Sequence, residues 1–107
     1  MSLITTHVLD SSRGIPAAGV AVQLQDPEGT VIAEGVTDAD GRVPALGPES
    51  LEPGPFRLVF ATGSYFAATS TPTFYPHVTI DFVVADAGHY HVPVLLSPFA
   101  YSTYRGS

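Results

Sequence analysis

Residues 20–36 read VAVQLQDPEGTVIAEGV, and this segment decides the fold. From Val20 to Leu24 every second residue is apolar, which is the period of a strand buried on one face. In Asp26–Gly29 (DPEG), Pro presets the first central dihedral of a turn and Gly accepts a positive φ. The segment therefore predicts a β-hairpin whose second strand spans residues 30–36.

The same alternation recurs further along the chain, at Phe56–Phe60 and at Val78–Val84. Ten Gly and ten Pro are spread through the sequence, which suits short strands joined by tight turns. Residues 64–69 show no alternation and are followed by Pro72, so they predict one short helix. We therefore expect an all-β fold, an antiparallel β-sandwich with one short helix.

Length and composition exclude several classes of protein. A chain of 107 residues is large enough for one core, which predicts a single domain over residues 1–107. The absence of Cys excludes a thiol nucleophile and Cys-ligated zinc. Ten acidic residues against four basic ones argue against a nucleic-acid partner. No apolar run approaches the roughly 20 residues of a membrane span, and no signal-peptide segment is evident, so a cytoplasmic location is expected.

Three of the four histidines have strand spacing that would let them converge. His89 and His91 lie on the same face of a predicted strand, about 7 Å apart. His7 shares a face with Thr5 and Leu9 in a predicted first strand. A single histidine on a strand is more often an exposed or hydrogen-bonded residue, but the clustering favours a site if the first and last strands meet.

A zinc site is one alternative, because Zn²⁺ binds three imidazoles and a water in catalytic geometry. Arg42 would place a permanent positive charge beside such a metal, which disfavours it. Asp38–Arg42 also resembles the start of a calcium loop, but the cation at a ligand position argues against Ca²⁺. As a turn the segment needs no ligand, since Asp and Gly suit a reversal. Arg42 is then free to hold a carbonyl-rich ligand or an oxyanion.

The last seven residues read YSTYRGS and would ordinarily be a frayed end. They follow directly from the predicted strand that contains His91, and they carry the last Arg of the chain. Both a frayed tail and a wall of the histidine site fit this position.

Four motifs together resemble the 5-hydroxyisourate hydrolases of the transthyretin-like family. They are Thr6–Asp10 (THVLD), Asp40–Arg42 (DGR), His89–Pro93 (HYHVP) and Tyr104–Ser107 (YRGS). The similarity extends over essentially the whole chain, and the YRGS ending separates the hydrolases from transthyretin itself.

The resemblance implies a prealbumin-type sandwich that forms a homotetramer, a dimer of dimers, with active sites at the dimer–dimer interface. It implies hydrolysis of 5-hydroxyisourate, a small-molecule substrate of urate (purine) degradation, to 2-oxo-4-hydroxy-4-carboxy-5-ureidoimidazoline, without metal or organic cofactor. The matching catalytic positions are His7, Arg42 and His91. The expected substrate-binding residues are His7, Arg42, His89, Tyr104, Arg105, Gly106 and Ser107.

Opening a cyclic amide-like bond needs a base for the attacking water, donors for the oxyanion and a proton for the leaving nitrogen. Our sequence-based hypothesis has His7 orient or deprotonate water, Arg42 hold the carbonyl and His91 transfer the proton, with the two histidine roles open to exchange. No serine has the context of a nucleophile elbow, so direct attack by water is expected.

Two other functions compete with the hydrolase. A transthyretin-like protein would bind a small ligand without catalysis, but an apolar ligand has no use for the set His7, Arg42 and His91. A β-sandwich interaction module would use loops or an edge strand. Three of four His and two of four Arg fall within the motifs, which favours the enzyme.

Overall fold

The computed structural model describes residues 3–106. Within this range the strands are β1 Ile4–Asp10, β2 Ile15–Pro16, β3 Ala21–Gln25, β4 Val31–Val36, β5 Arg42–Leu46, β6 Gly54–Phe60, β7 Val78–Val84, β8 Tyr90–Ser97 and β9 Ala100–Thr103. The helix α1 spans Thr62–Ala67.

The strands form two sheets packed face to face, as predicted. One sheet has the order β2-β1-β8-β9, with β5 also paired to β1, and the other has the order β4-β3-β6-β7. All pairs are antiparallel except β1 with β8, which run parallel from Ile4↔Tyr90 to Asp10↔Leu96. The first strand therefore does meet the last long strand, the condition on which convergence of the histidines depended.

The core lies between the sheets and takes every second side chain of the long strands. Along β1 the buried residues are Ile4, Thr6, Val8 and Asp10, and the residues between them face outward and are half-buried. Leu58 and Phe60 of β6 are fully buried against them. Each such apolar side chain contributes about 1.5–3 kcal/mol on burial. Alternation thus fixes which side chains of β1 remain available for chemistry.

The hairpin predicted from residues 20–36 is confirmed. β3 pairs antiparallel with β4, from Ala21↔Val36 to Gln25↔Val31. In the turn, the N–H of Gly29 donates to the carbonyl oxygen of Asp26 at 3.0 Å. Gly29 has φ +87°. Gly at this position accepts the left-handed conformation at no steric cost.

The helix is present but lies two residues earlier than predicted, over Thr62–Ala67 instead of residues 64–69. The chain leaves the helix at Ala68, and Ser70 already has φ +53°. Local backbone geometry therefore ends the helix before Pro72, which the sequence-based prediction took as its end. No helix in the described part of the chain is long and apolar enough to cross a membrane.

Three short strands were not predicted: β2, β5 and β9. β5 contains Pro44, which removes one strand donor, and it borders β1 along only three register pairs. β9 is fully exposed and lies in the segment that chain-end behaviour alone would leave frayed. In addition, β8 begins at Tyr90, so His89 precedes the strand in which it was placed.

Candidate active site

Three adjacent strands bring together the residues predicted to be catalytic. His7 on β1 pairs with Arg42 on β5 and, on its other side, with Pro93 on β8. His91 lies two residues before Pro93 on the same strand face and pairs with Thr5. The central position of β1 therefore places His7 between the Arg42 strand and the His91 strand.

These side chains line an open cleft of about 680 Å³ on the outer face of the sheet. The cleft residues that were predicted from the sequence are His7, Arg42, His89, His91, Tyr104, Arg105 and Gly106. Ser107, the remaining predicted residue, lies outside the described residues. The cleft thus collects residues from the beginning, the middle and the end of the chain.

The charge of the cleft is opposite to that of the whole chain. Its lining includes three of the four His and two of the four Arg of a chain with formal net charge −6. None of the lining residues in the described part of the chain is Asp or Glu. A carbonyl-rich or anionic ligand is the chemistry that such a surface favours.

A tight turn before β5 sets the direction of Arg42. The Asp38 carboxylate accepts hydrogen bonds from the backbone N–H groups of Asp40 and Arg42, at 2.9 and 3.0 Å. Gly41 has φ +76°, and a Cβ there would lie 2.2 Å from the carbonyl oxygen of Val8. Only Gly allows this approach of the turn to β1. The turn interpretation of this segment is therefore correct, and it is the turn that brings Arg42 to the cleft.

The C-terminal segment is held against β8. Beyond β9 the backbone N–H of Gly106 donates to the carbonyl oxygen of His91 at 2.9 Å, which forms an isolated antiparallel bridge. A Cβ on Gly106 would lie 2.6 Å from Cδ2 of the His91 ring. The glycine of the YRGS motif therefore lets the backbone lie directly on this imidazole. The described part of the tail is a wall of the cleft.

Arg105 is anchored by an aromatic ring beneath the tail. Its guanidinium carbon lies 4.5 Å from the centroid of the Tyr90 ring. The Tyr90 hydroxyl donates to Asp86 at 3.0 Å and accepts from the N–H of Ala85 at 2.9 Å. Hydrogen bonds from Gly88 and Tyr90, and the charge of Arg105, lower the pKa of Asp86. Arg105 thus borders the cleft while its charge is shared with the turn before β8.

Thr5 is a site residue that the motif-based prediction missed. Its hydroxyl lies 2.9 Å from Nε2 of His89 and 2.8 Å from Nδ1 of His91. The two imidazoles are stacked, with centroids 6.3 Å apart and an interplanar angle of 21°. Strand alternation had already placed Thr5 on the face of His7, so the sequence did contain a signal for it.

The environment of His91 favours its neutral form. Burial lowers the pKa of His91, and the charges of Arg42, His7 and His89 lower it further. An imidazole with a lowered pKa is unprotonated at neutral pH, and it can then accept a proton.

Asp10, the last residue of the THVLD motif, has a structural position at the far end of β1. Its buried carboxylate accepts hydrogen bonds from Ser12 and Arg13 and from the hydroxyl of Tyr65. Burial alone would raise the pKa of Asp10, but these hydrogen bonds hold it below its usual value. Asp10 therefore secures the loop that follows β1.

A zinc site would need three or more ligand side chains placed around one ion. Within residues 3–106, no group of three or more His, Cys, Asp or Glu side chains is placed to hold a metal ion. Nε2 of His89 and Nδ1 of His91 each form a hydrogen bond with the Thr5 hydroxyl. One nitrogen of each ring is therefore engaged by a side chain.

Comparison with known proteins shows the family of the chain. The model of the HIUase/Transthyretin family matches residues 4–106. A 5-hydroxyisourate hydrolase of Caulobacter vibrioides is 48% identical over 115 residues, covering 100% of both chains. The structure of Klebsiella pneumoniae 5-hydroxyisourate hydrolase matches with a TM-score of 0.92 at 42% identity, covering 99% of this chain and 100% of that one. Sea bream transthyretin in complex with thyroxine matches with a TM-score of 0.89 at 31% identity, covering 97% and 94%. The chain belongs to the HIUase/Transthyretin family.

Proposed function

We propose that this protein is a cofactor-free hydrolase that opens the ring of 5-hydroxyisourate to give 2-oxo-4-hydroxy-4-carboxy-5-ureidoimidazoline in urate degradation. The observation that carries the proposal is the convergence of His7, Arg42 and His91 on one cleft. The hydrolases of Caulobacter vibrioides and Klebsiella pneumoniae, similar over essentially their full length, support it.

In the proposed mechanism, water adds to the ring carbonyl and His91 takes its proton. His91 suits this role because burial and the neighbouring cationic groups lower its pKa. The guanidinium of Arg42 stabilises the oxyanion. When the intermediate collapses, the carbon–nitrogen bond breaks and His7 supplies the proton to the leaving nitrogen. This assignment exchanges the two histidine roles of the sequence-based hypothesis.

The tail completes the substrate pocket in this proposal. Tyr104, Arg105 and Gly106 border the cleft, and His89 lies at its edge. The product gains a carboxylate, and the cationic lining stabilises negative charge as it develops. Ser107 is proposed to contribute to the same wall on the basis of the motif alone.

We further propose that residues 1–107 act as a single domain and that four copies assemble as a dimer of dimers in the cytoplasm. The open shape of the cleft supports assembly, since a second copy would exclude water from it. Leu95 lies on β8, the strand that carries His91, and its apolar side chain is 37% exposed. Sedimentation equilibrium over a range of protein concentrations tests this assembly, and a fully active monomer would contradict it.

The decisive experiment follows the ultraviolet absorbance of freshly generated 5-hydroxyisourate with and without the protein. We expect decay to accelerate in proportion to protein concentration. The likeness to sea bream transthyretin makes ligand binding without turnover the second candidate. Decay at the spontaneous rate, together with saturable binding of a small aromatic ligand, would favour that candidate over the hydrolase.

A further inference from the structure

The Thr5 hydroxyl bridges an imidazole inside the cleft and an imidazole at its exposed edge. We propose that Thr5 is a positioning residue that relays a proton between His91 and His89, so that His89 exchanges protons with solvent on behalf of His91. The place of this relay in catalysis rests on the proposed function, whereas the coupling between the two histidines does not.

The geometry for a relay is present along the whole path. Oγ1 of Thr5 lies 2.8 Å from Nδ1 of His91 and 2.9 Å from Nε2 of His89, both within hydrogen-bond range. Thr5 and His91 are register partners on neighbouring strands, so the backbone fixes their separation. His91 is half-buried and His89 is exposed. The path therefore runs from the cleft to solvent.

A proton count shows that the two rings are coupled. A hydroxyl has one hydrogen, so Thr5 can donate to only one of the two nitrogens. If Thr5 donates to His89, Nδ1 of His91 must carry a hydrogen, and Nε2 of His91 is left as a base. If His89 becomes a cation, it must donate to Thr5, which then donates to Nδ1 of His91. The protonation state of His89 thus selects the tautomer of His91.

The relay balances without any further reactant. Once His91 has taken the proton of water on Nε2, it is a cation with hydrogen on both nitrogens. Its Nδ1–H bond breaks as the hydrogen bonds to Oγ1 of Thr5, and the original Oγ1–H bond breaks as that hydrogen bonds to Nε2 of His89. The positive charge moves to His89, which loses a proton to water. His91 is then neutral with its hydrogen on Nε2, and it returns to its starting tautomer when that hydrogen leaves to solvent and a proton passes back along the same path from His89 through Thr5 to Nδ1.

The surroundings of His91 supply a reason for moving the charge. The titratable and charged groups that border it are His7 from β1, Arg42 from β5, His89, and Tyr104 and Arg105 from the tail. None of the described residues lining the cleft carries a carboxylate that would stabilise a protonated His91. Transfer of the proton to His89 moves the positive charge from a half-buried ring to an exposed one, where water solvates it.

The test compares Thr5→Val, which keeps the branched shape, with Thr5→Ser, which keeps the hydroxyl. We expect Thr5→Val to lower kcat about 100-fold, the lower end of what the loss of a proton-transfer group costs, with KM little changed. Thr5→Ser should restore most of kcat. Equal kcat and equal pH profiles for wild type and Thr5→Val would overturn the relay.

A second measurement does not depend on turnover. Nitrogen-15 NMR of the histidine side chains should show the His91 tautomer changing as His89 gains a proton in wild type, and this response should vanish in Thr5→Val. An unchanged response would overturn the coupling. If wild type shows the coupling but does not hydrolyse 5-hydroxyisourate, the proposed function fails and the coupling stands.

If Thr5→Val does not fold, Thr5→Ala replaces it, and a double-mutant cycle combines Thr5→Ala with His89→Gln. The effects of removing the Thr5 hydroxyl and of His89→Gln should be strongly non-additive, because both interrupt one path. Additive losses in kcat would overturn the relay.

Discussion

The outer faces of the two sheets carry polar residues in different ways. On the second sheet, Arg57 of β6 pairs with Asp81 of β7 at 2.8 Å, and Gln23 donates to Glu34 at 3.1 Å. On the first sheet, the cleft gathers His and Arg, and none of its described lining residues is acidic. Polar groups that satisfy one another keep a sheet face soluble, whereas cationic groups gathered in a concave site favour a ligand.

The largest effect is expected from deletion of the tail, which borders the cleft on the first sheet. Deletion of Tyr104–Ser107 should abolish turnover, because it removes the wall that the Gly106 bridge holds against His91. The melting temperature should fall by only a few degrees, since the contact of the exposed Arg105 with the Tyr90 ring is worth about 0.5–1 kcal/mol. Steady-state kinetics and a thermal melt check both.

A matched comparison comes from the position of an affinity tag. A C-terminal tag should damage activity, whereas an N-terminal tag should be better tolerated. Unimpaired catalysis by the protein that lacks Tyr104–Ser107 would show that the tail is not part of the site. The interpretation of the tail as a frayed chain end would then be correct.

Single replacement of the cleft residues should have the next largest effect. His7→Gln, Arg42→Gln and His91→Gln should each lower kcat/KM by about a hundredfold or more, the scale of a lost acid–base or oxyanion group. His77→Ala is the control, because His77 is exposed and precedes β7 on the second sheet. Equal losses at all four positions would show that the cleft has no special role.

Much of the fold could be predicted because strand burial depends on local alternation. The hairpin of residues 20–36 and the strands at Phe56–Phe60 and Val78–Val84 follow from residues that alternate in burial over short distances. The sequence could not predict that β1 and β8 pair in parallel, because this contact joins the two ends of the chain and depends on how the whole sandwich closes.

The candidate site also has a part that the sequence predicts and a part that depends on the fold. Motif resemblance placed His7, Arg42 and His91 in one group, and the structure does bring them to one cleft. The bridging position of Thr5 depends on strand register, since Thr5 meets His91 only when β1 and β8 are aligned as they are. Similarly, the close approach of Gly106 to the His91 ring depends on the path of the tail beyond β9.

A smaller effect is expected when the approach of the tail is disturbed without deleting it. Gly106→Ala places a Cβ 2.6 Å from Cδ2 of His91, so either the ring or the tail must shift. We expect kcat to fall about tenfold or more, since small displacements of catalytic groups cost up to a hundredfold. Gly14→Ala is a control, because a Cβ there has open space, although its φ of +68° costs some stability. Unchanged kcat in Gly106→Ala would show that the contact with His91 is dispensable.

A still smaller effect is expected on the pKa of His91, which should respond to a charge on its own sheet and not to a charge on the other sheet. The pKa of His91 should lie below its usual value in wild type, lowered first by burial and then by Arg42. Arg42→Gln removes a positive charge, so the His91 pKa should rise toward its usual value. Arg57→Gln on the other sheet should leave it unchanged. Histidine NMR titration measures these shifts. A lower His91 pKa in Arg42→Gln than in wild type would contradict the assigned effect of the Arg42 charge.

The smallest effect should come from breaking the Arg57–Asp81 pair itself. Its side chains are 35% and 67% exposed, so water screens the attraction. Arg57→Gln or Asp81→Asn should therefore lower the free energy of unfolding by less than about 1 kcal/mol, and less again in high salt. Turnover should match wild type, because the pair lies on the sheet that does not form the cleft. Urea unfolding at low and high salt measures the first effect, and the 5-hydroxyisourate assay measures the second. If Arg57→Gln reduced turnover as strongly as Arg42→Gln, the loss could not be assigned to the cleft, and the distinction between a self-paired face and a ligand-binding face would fail.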